Sequence, residues 1–515
     1  MEKTDSLKKR YLYKLLTNIA GFCISLFSQG IVLRGLGPKN FGDFNFLTSN
    51  LSQIVSFFDM GSSIGFYTKL SKRPKEKGLV YYYLYFVGIV FFLIFVFVLM
   101  THLTTIYEKL WPDQALKFIY LAAGYAIINW ALQIINSIGD AFGLTVSTER
   151  ARIAQKIFNA VVIMLFFYLG VLNLTNYFLC YYLSMLLLIF LLARIINKDN
   201  NIFKGHWKAS IQDIKEYTYE FYTYCHPLFI YSFFGVLFSI LDRWMLQSFA
   251  GSVQQGFFGL SYQLSSICFA FTGAMTPLLT REFSIAYANK DFSGMARLFR
   301  RFIPLMYSVT AFFACFTAVQ AEKVIYILGG TSYKGALLPV IIMAFYPIHQ
   351  TYGQMSGSIF YAADKTKTYR NIGITLMVVG LPITYILIAP KSIMGLDTGA
   401  VGLAAKMVLM QFLGVNVQLY FNAKLLKLKF WKYVLHQLIS VSFFIGIGLV
   451  SAIIGDILLG LKENTFASFI VEGVIYTVIV LVLVYLIPEI VGLSKKDVKS
   501  FSNILITKYI SRLKD

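Results

Sequence analysis

The chain has 515 residues, of which 57% are hydrophobic and 14% charged, and 46 Lys+Arg against 25 Asp+Glu leave a net charge of +21. Soluble domains carry about a quarter charged residues, so this composition excludes a soluble globular protein and points to a chain dissolved in lipid. The basic excess does not indicate a nucleic-acid partner, because Lys and Arg fall in short clusters between apolar runs, as in juxtamembrane loops facing an anionic leaflet.

A helix needs about 20 residues to cross the hydrocarbon core. Apolar runs and their polar breaks predict fourteen spans, at 14–33, 43–69, 79–101, 115–140, 152–171, 174–194, 219–248, 257–282, 301–320, 336–362, 370–389, 398–421, 433–455 and 466–488. The basic start through Lys14 leads into a polar-striped run with no small-residue cleavage pattern, so it reads as a retained first helix. With the N-terminus in the cytoplasm, Lys and Arg fall inside except for Arg34, Lys39, Lys109, Lys117, Lys323, Lys334, Lys391 and Lys462 outside and Arg243 and Lys406 within spans. That asymmetry obeys the positive-inside rule and puts both termini in the cytoplasm. The five cysteines lie in apolar runs with no CxxC, and no His/Cys cluster, HExxH or phosphate-binding Gly-x4-Gly-Lys loop appears, so neither a metal nor another cofactor is expected, and no ATPase or other enzyme.

The first and seventh spans end alike. Gly37-Pro-Lys-Asn-Phe-Gly42-Asp-Phe44 can be laid on Gly251-Ser-Val-Gln-Gln-Gly256-Phe-Phe258, each a glycine, four residues, a glycine, one residue and a phenylalanine. The glycines suit tight turns at positive φ. Spans one to six thus repeat as seven to twelve, and six being even, the repeat is parallel, about an axis along the membrane normal. The expected architecture is all-α and polytopic: a six-helix bundle over 1–196, a linker over 197–218 with a short surface helix near Ile211–Tyr219, a second bundle over 219–422, helices thirteen and fourteen over 423–491, and a cytoplasmic tail over 492–515.

Polar side chains run in stripes inside the spans. In span two Asn45, Ser49, Ser52, Ser56, Asp59 and Ser63 step by four and three residues, and in span four Asn129, Gln133, Asn136 and Asp140 do the same, which places each set on one helix face. Asn18, Ser25 and Ser28 in span one, Ser232, Ser239 and Asp242 in span seven, and Ser261, Ser265 and Thr272 in span eight follow suit. Small polar residues can serve as glue between helices. Stripes that recur in both halves and carry Asp and Asn fit better along a hydrophilic cavity between the bundles, because ionisable groups at depth usually face water. Asp59, Asp242, His349 and Lys406 are then candidates for coupling or gating, and Arg34, Lys69, Arg243 and Arg281 for binding an anion, Arg243 through its planar fork.

Arg34-Gly-Leu-Gly-Pro-Lys-Asn-Phe-Gly-Asp-Phe44, Phe58-Asp-Met-Gly-Ser62, Leu241-Asp-Arg-Trp-Met-Leu246 and Ala363-Asp-Lys-Thr-Lys-Thr368 resemble bacterial polysaccharide transporters of the Wzx O-antigen flippase type. The resemblance implies a fold like the MATE and MurJ relatives of the multidrug/oligosaccharidyl-lipid/polysaccharide (MOP) superfamily. It implies movement of an undecaprenyl-diphosphate-linked oligosaccharide from the cytoplasmic to the periplasmic leaflet of the bacterial inner membrane, for O-antigen or capsule assembly. The partners it implies are that lipid-linked substrate, membrane lipid, a proton or sodium ion, and a polysaccharide polymerase with its chain-length regulator. Phosphate contacts would fall to Arg243, Arg281 and Lys69, sugar contacts to Asn45, Asn129, Gln133 and Asn136, and the last two spans would offer a groove for the lipid tail. The rival readings are a cation-coupled multidrug exporter of the same superfamily and a non-transporting scaffold for glycan assembly.

Overall fold

The computed structural model describes residues 7–73, 76–200, 211–459, 465–493 and 495, and every regular element among them is helical. In chain order the α-helices are α1 (Leu7–Asp59), α2 (Ser62–Lys72), α3 (Lys77–Leu103), α4 (Tyr107–Leu110), α5 (Leu116–Ala141), α6 (Thr145–Tyr168), α7 (Leu174–Asn200) and α8 (Ile211–Ser266). They continue as α9 (Phe269–Ala288), α10 (Phe292–Val319), α11 (Ala321–Gly329), α12 (Leu337–Met343), α13 (Tyr346–Ala362), α14 (Thr366–Ile388), α15 (Gly399–Leu426), α16 (Phe430–Leu459) and α17 (Thr465–Leu486). The central linker over 201–210, the tail from 496 and the side chains of Asn18 and Thr272 lie outside the described residues.

Twelve stretches among the described residues are long and apolar enough to cross a membrane. Two of them, Ala20–Asp59 and Phe229–Ser266, each overlap two of the predicted spans, and the spans predicted at 43–69 and 257–282 continue past a break into α2 and α9. Their joints are the two motif glycines. Gly37 (φ 69, ψ 172) and Gly251 (φ 76, ψ −178) share a conformation open essentially to glycine alone, and each breaks the helical run inside α1 and α8. After Gly37 the helix restarts at Pro38, whose missing N–H is no loss in a first helical turn. The separate surface helix predicted near Ile211–Tyr219 is instead the first turns of α8. The predicted span 336–362 breaks after α12 and restarts as α13, with Pro347 in the first turn of the new helix.

The chain forms two compact units, one of Met1–Gly256 with Ile388–Asp397, the other of Phe257–Leu387 with Thr398–Asp515. In the first, α1 packs on α5 and α6, and α7 packs on both of those. An aromatic knot fixes this packing: Phe44 meets Tyr125, Tyr177, Phe178 and Tyr181 at 4.7 to 5.7 Å between ring centres. In the second unit α13 is the central helix, against α9, α10 and α15, while α16 packs on α10 and α17 on α16. Tyr476 of α17 stacks on Phe312 and Phe316 and donates its hydroxyl hydrogen to the Phe312 carbonyl at 2.8 Å. The outward faces stay apolar, as at Phe92, Ile453 and Leu481, which suits a solvent of lipid tails.

Candidate functional site

The two glycine motifs meet inside the first unit. A Cβ at Gly42 would stand 1.7 Å from the Ser252 carbonyl oxygen, and one at Gly256 would stand 2.1 Å from the Pro38 carbonyl oxygen. The contact is reciprocal: the second glycine of each motif rests on the residue after the first glycine of the other. Only hydrogen at both positions allows backbones to approach so closely. Buried amides tie the crossing together. Gln114 donates to Asp43 Oδ1 at 2.8 Å and to Ser252 Oγ at 3.4 Å, and Gln247 donates to Ser252 Oγ at 3.1 Å and to the Pro112 carbonyl at 3.2 Å. Gln255, fully buried, accepts from Arg243 Nη1 at 3.1 Å and donates to the Arg243 carbonyl at 2.6 Å. Trp244 Nε1 donates to the Lys109 carbonyl at 2.7 Å. Arg243, a predicted anion ligand, is thus half-buried at this seam.

From Gly37 to Asp59 is 22 residues, about 33 Å of helix, which is the thickness of a hydrocarbon core. The helix ends at Asp59 because Met60 (φ 45) and Gly61 (φ 80) are left-handed. This corrects the stripe of span two, whose last step to Ser63 crosses a break and does not continue one helix face. Asp59 Oδ1 accepts from the Ser63 backbone N–H at 2.9 Å, from Ser63 Oγ at 2.6 Å, from Ser62 Oγ at 2.9 Å and from Tyr83 Oη at 3.3 Å. It therefore satisfies an amide that the first turn of α2 leaves unpaired.

Below that break, α2 and the loop before α3 meet the start of α8. Glu220 Oε1 lies 2.7 Å from Lys69 Nζ, and Arg73 Nη2 donates to both Glu220 oxygens, at 2.8 and 2.9 Å. Arg73 Nε also pairs with Glu76 at 3.1 Å, and Tyr217 donates to Glu76. Lys69 sits over the rings of Phe221 and Tyr224, at 5.6 and 6.0 Å. These residues precede Phe229–Ser266, the described stretch of α8 that is long and apolar enough to cross a membrane. Burial pushes the Glu220 carboxyl up, but the hydrogen bonds and charges of Lys69 and Arg73 outweigh it and hold the group below the usual carboxylate range. The Arg73 guanidinium is raised in turn, first by its bond to Glu220.

The other predicted site residues occupy separate settings. Asn45 donates to the Phe41 carbonyl of its own helix at 2.8 Å, Asn136 accepts from Arg152 Nε at 3.3 Å, and Asn129 is half-buried. Gln133 and Arg34 are exposed, and so is Arg281, whose partner is the neighbouring Glu282 at 2.8 Å. Asp242 is half-buried beside Arg243 in α8. Lys406 is buried in α15 with its chain against Gly380 of α14. His349 is buried against Tyr307 and Phe412, with Nδ1 unpartnered among the described residues.

Sequence reasoning misses the amides of the seam, the role of Glu220, and a buried ion pair in the second unit. There Glu472 of α17, fully buried, contacts Lys323 Nζ at 2.5 Å and accepts from Gln320 and Ser468. A lone acid in the most C-terminal apolar run is the available signal for that pair.

The polysaccharide biosynthesis protein family matches residues 7–281, over half of the chain. No curated protein matches. Among solved structures, the lipid II flippase MurJ in an inward closed conformation superposes with a TM-score of 0.64 at 11% identity, over 92% of this chain and 98% of that one. An inward-facing multidrug resistance MATE transporter of the MOP superfamily gives 0.61 at 15%, over 78% and 96%. A MOP superfamily transporter from Pyrococcus furiosus gives 0.54 at 14%, over 81% and 96%. The fold is therefore MATE- and MurJ-like, and the chain belongs to the polysaccharide biosynthesis protein family.

Proposed function

We propose that this protein is a flippase that carries an undecaprenyl-diphosphate-linked oligosaccharide from the cytoplasmic to the periplasmic leaflet of a bacterial inner membrane, for assembly of a surface polysaccharide. The observation that carries the reading is the family match over residues 7–281. The fold supports it, since the similar structures include one described as a lipid II flippase.

The reaction makes and breaks no bond. In this reading, Lys69, Arg243 and Arg281 meet the diphosphate during the cycle, Asn45, Asn129, Gln133 and Asn136 meet sugar hydroxyls, and Arg34 draws the anion at the membrane surface. The glycine seam and the Lys69–Glu220 contact lie at opposite ends of one membrane-length helix. That is where alternating access requires two gates, one closing as the other opens. An inside-negative potential of 100 mV drives a net negative charge outward with about 2.3 kcal/mol. Proton or sodium exchange at Asp59, Asp242, His349 or Lys406 adds to that force, and a polymerase with its chain-length regulator takes the flipped product.

The test is complementation. The chain should restore surface glycan to a strain lacking its own polysaccharide flippase, and Arg243→Ala should abolish display while the protein still inserts. Full display by that variant would remove Arg243 from the mechanism. The likeness to a multidrug MATE transporter favours a drug exporter as the second reading. Resistance gained by a pump-deficient strain, without glycan rescue, would select it.

A further inference from the structure

Glu220 sits where an anionic ligand would. Its two oxygens bridge Lys69 Nζ at 2.7 Å and Arg73 Nη2 at 2.8 and 2.9 Å, so one carboxylate satisfies two cations. A guanidinium fork and an ammonium on adjacent turns match a diphosphate better than a single carboxylate, because a diphosphate diester brings a negative charge on each of two phosphates. The cluster is reachable: the side chains of Arg73 and Glu220 are 38% and 33% exposed, while Lys69 at 13% lies deeper. Phe221 and Tyr224 cover Lys69 from the α8 side, and Gly65, one turn earlier on α2, gives Tyr224 its room. Further polar ties between this part of α8 and the first bundle include the Tyr217 hydroxyl donating to Glu76 and a hydrogen bond shared by the hydroxyls of Thr218 and Tyr82 at 3.0 Å. Glu220 thus carries two ion pairs that hold the start of α8 on α2 and its loop.

We propose that Lys69 and Arg73 form a diphosphate-binding site that Glu220 occupies in this conformation, and that an incoming diphosphate displaces the carboxylate and releases the start of α8 from α2. Glu220 acts as a built-in competitor, so that binding of the anion and opening of the contact are one event. With Glu220 displaced, Lys69 Nζ and Arg73 Nη2 are open to the ligand, while Arg73 Nε stays paired with Glu76. The idea rests on the flippase reading only for where the diphosphate comes from.

The experiment uses the full-length protein purified in detergent micelles. Binding of inorganic diphosphate, of farnesyl diphosphate, and of phosphatidylglycerol in mixed micelles is measured by native mass spectrometry, and amide hydrogen exchange of residues 211–224 is followed in parallel. Farnesyl diphosphate should bind and speed exchange across 211–224. Glu220→Gln should bind it several-fold tighter, up to about five-fold, and show fast exchange without ligand, since a partly exposed charged contact of up to about 1 kcal/mol no longer competes. Lys69→Gln/Arg73→Gln should lose binding while melting as the wild type does. Inorganic diphosphate binding as well as the lipid form would assign the site to the free anion; tighter binding of the lipid form would assign it to the headgroup. Equal binding by Glu220→Gln and wild type, or equal binding of phosphatidylglycerol and farnesyl diphosphate, would overturn the proposal. If Lys69→Gln/Arg73→Gln melts early, the Glu220→Gln comparison alone decides. Glycan rescue separates the two ideas: rescue without displacement leaves the flippase and sinks the competitor, and displacement without rescue does the reverse.

Discussion

The reciprocal crossing of the two glycine motifs invites a direct test, Gly42→Ala. The added methyl would lie 1.7 Å from the Ser252 carbonyl oxygen, where ordinary contact begins at 3.4 Å, so the two segments must part by about 1.7 Å. The obstacle is backbone on both sides, so no side-chain rotation relieves it. Overpacking of this kind costs about 1–3 kcal/mol. At 1.4 kcal/mol per factor of ten, that is roughly 5- to 150-fold against the closed seam. Ser252→Cys, introduced into a background freed of the five native cysteines, reports on the seam, because Ser252 is 9% exposed here. A membrane-impermeant maleimide should label it at least about five-fold faster with Gly42→Ala than without. Gly256→Ala should act the same way, somewhat less strongly, since its methyl meets the Pro38 carbonyl oxygen at 2.1 Å. Gly88→Ala and Gly446→Ala serve as controls. Both are helical and open, so each should leave labelling unchanged and hold stability or raise it by up to about 1 kcal/mol. Equal labelling rates in Gly42→Ala and the parent, with no change in melting temperature, would refute the close crossing.

Three further outcomes follow from contacts already described. Glu472→Ala strands Lys323 and Gln320 at a buried site and should cost about 3–5 kcal/mol in thermal unfolding, whereas Glu472→Met with Lys323→Met should recover much of that loss. Gln114→Ala removes the amide shared by Asp43 and Ser252, so seam labelling should rise while Gln133→Ala, at an exposed position, leaves it alone. Because the folded-state carboxyl of Glu220 lies below its ordinary value of 4.5, its contact with Lys69 and Arg73 stabilises at and above that pH and fades as pH falls through the lowered value. Amide exchange of 211–224 should therefore be flat from neutral pH to about 5, after correction for intrinsic rates, and should quicken only below that; a rise between pH 8 and 6 would point to a different group.

Much of the fold is legible because lipid imposes simple rules. Backbone groups without water must bond within a helix, so each apolar run of sufficient length reads as a span. Twelve apolar stretches among the described residues fall on the predicted runs, and two of them, in the long helices α1 and α8, each overlap a pair of runs joined at Gly37 and Gly251, the glycines that the repeat singles out. The candidate site is harder. The stripe of span two reads as continuous through Ser63, yet two left-handed residues end the helix at Asp59, and a local rule of spacing has no means of registering that break. Lys69 stands out in the sequence as an anion ligand, and the structure adds that an anion from its own chain, 151 residues later, already lies on it.

By itself the sequence determined the solvent of this protein, the approximate number of its spans, the glycine joints and the family motifs, because each depends on residues close together along the chain. Only the tertiary structure decided what meets what: that Gly42 and Gly256 cross on each other's motifs, that Glu220 bridges Lys69 and Arg73, and that Glu472 is buried against Lys323. Those pairings join residues more than a hundred positions apart, and they arise from how helices pack in space, which no spacing along a single helix encodes.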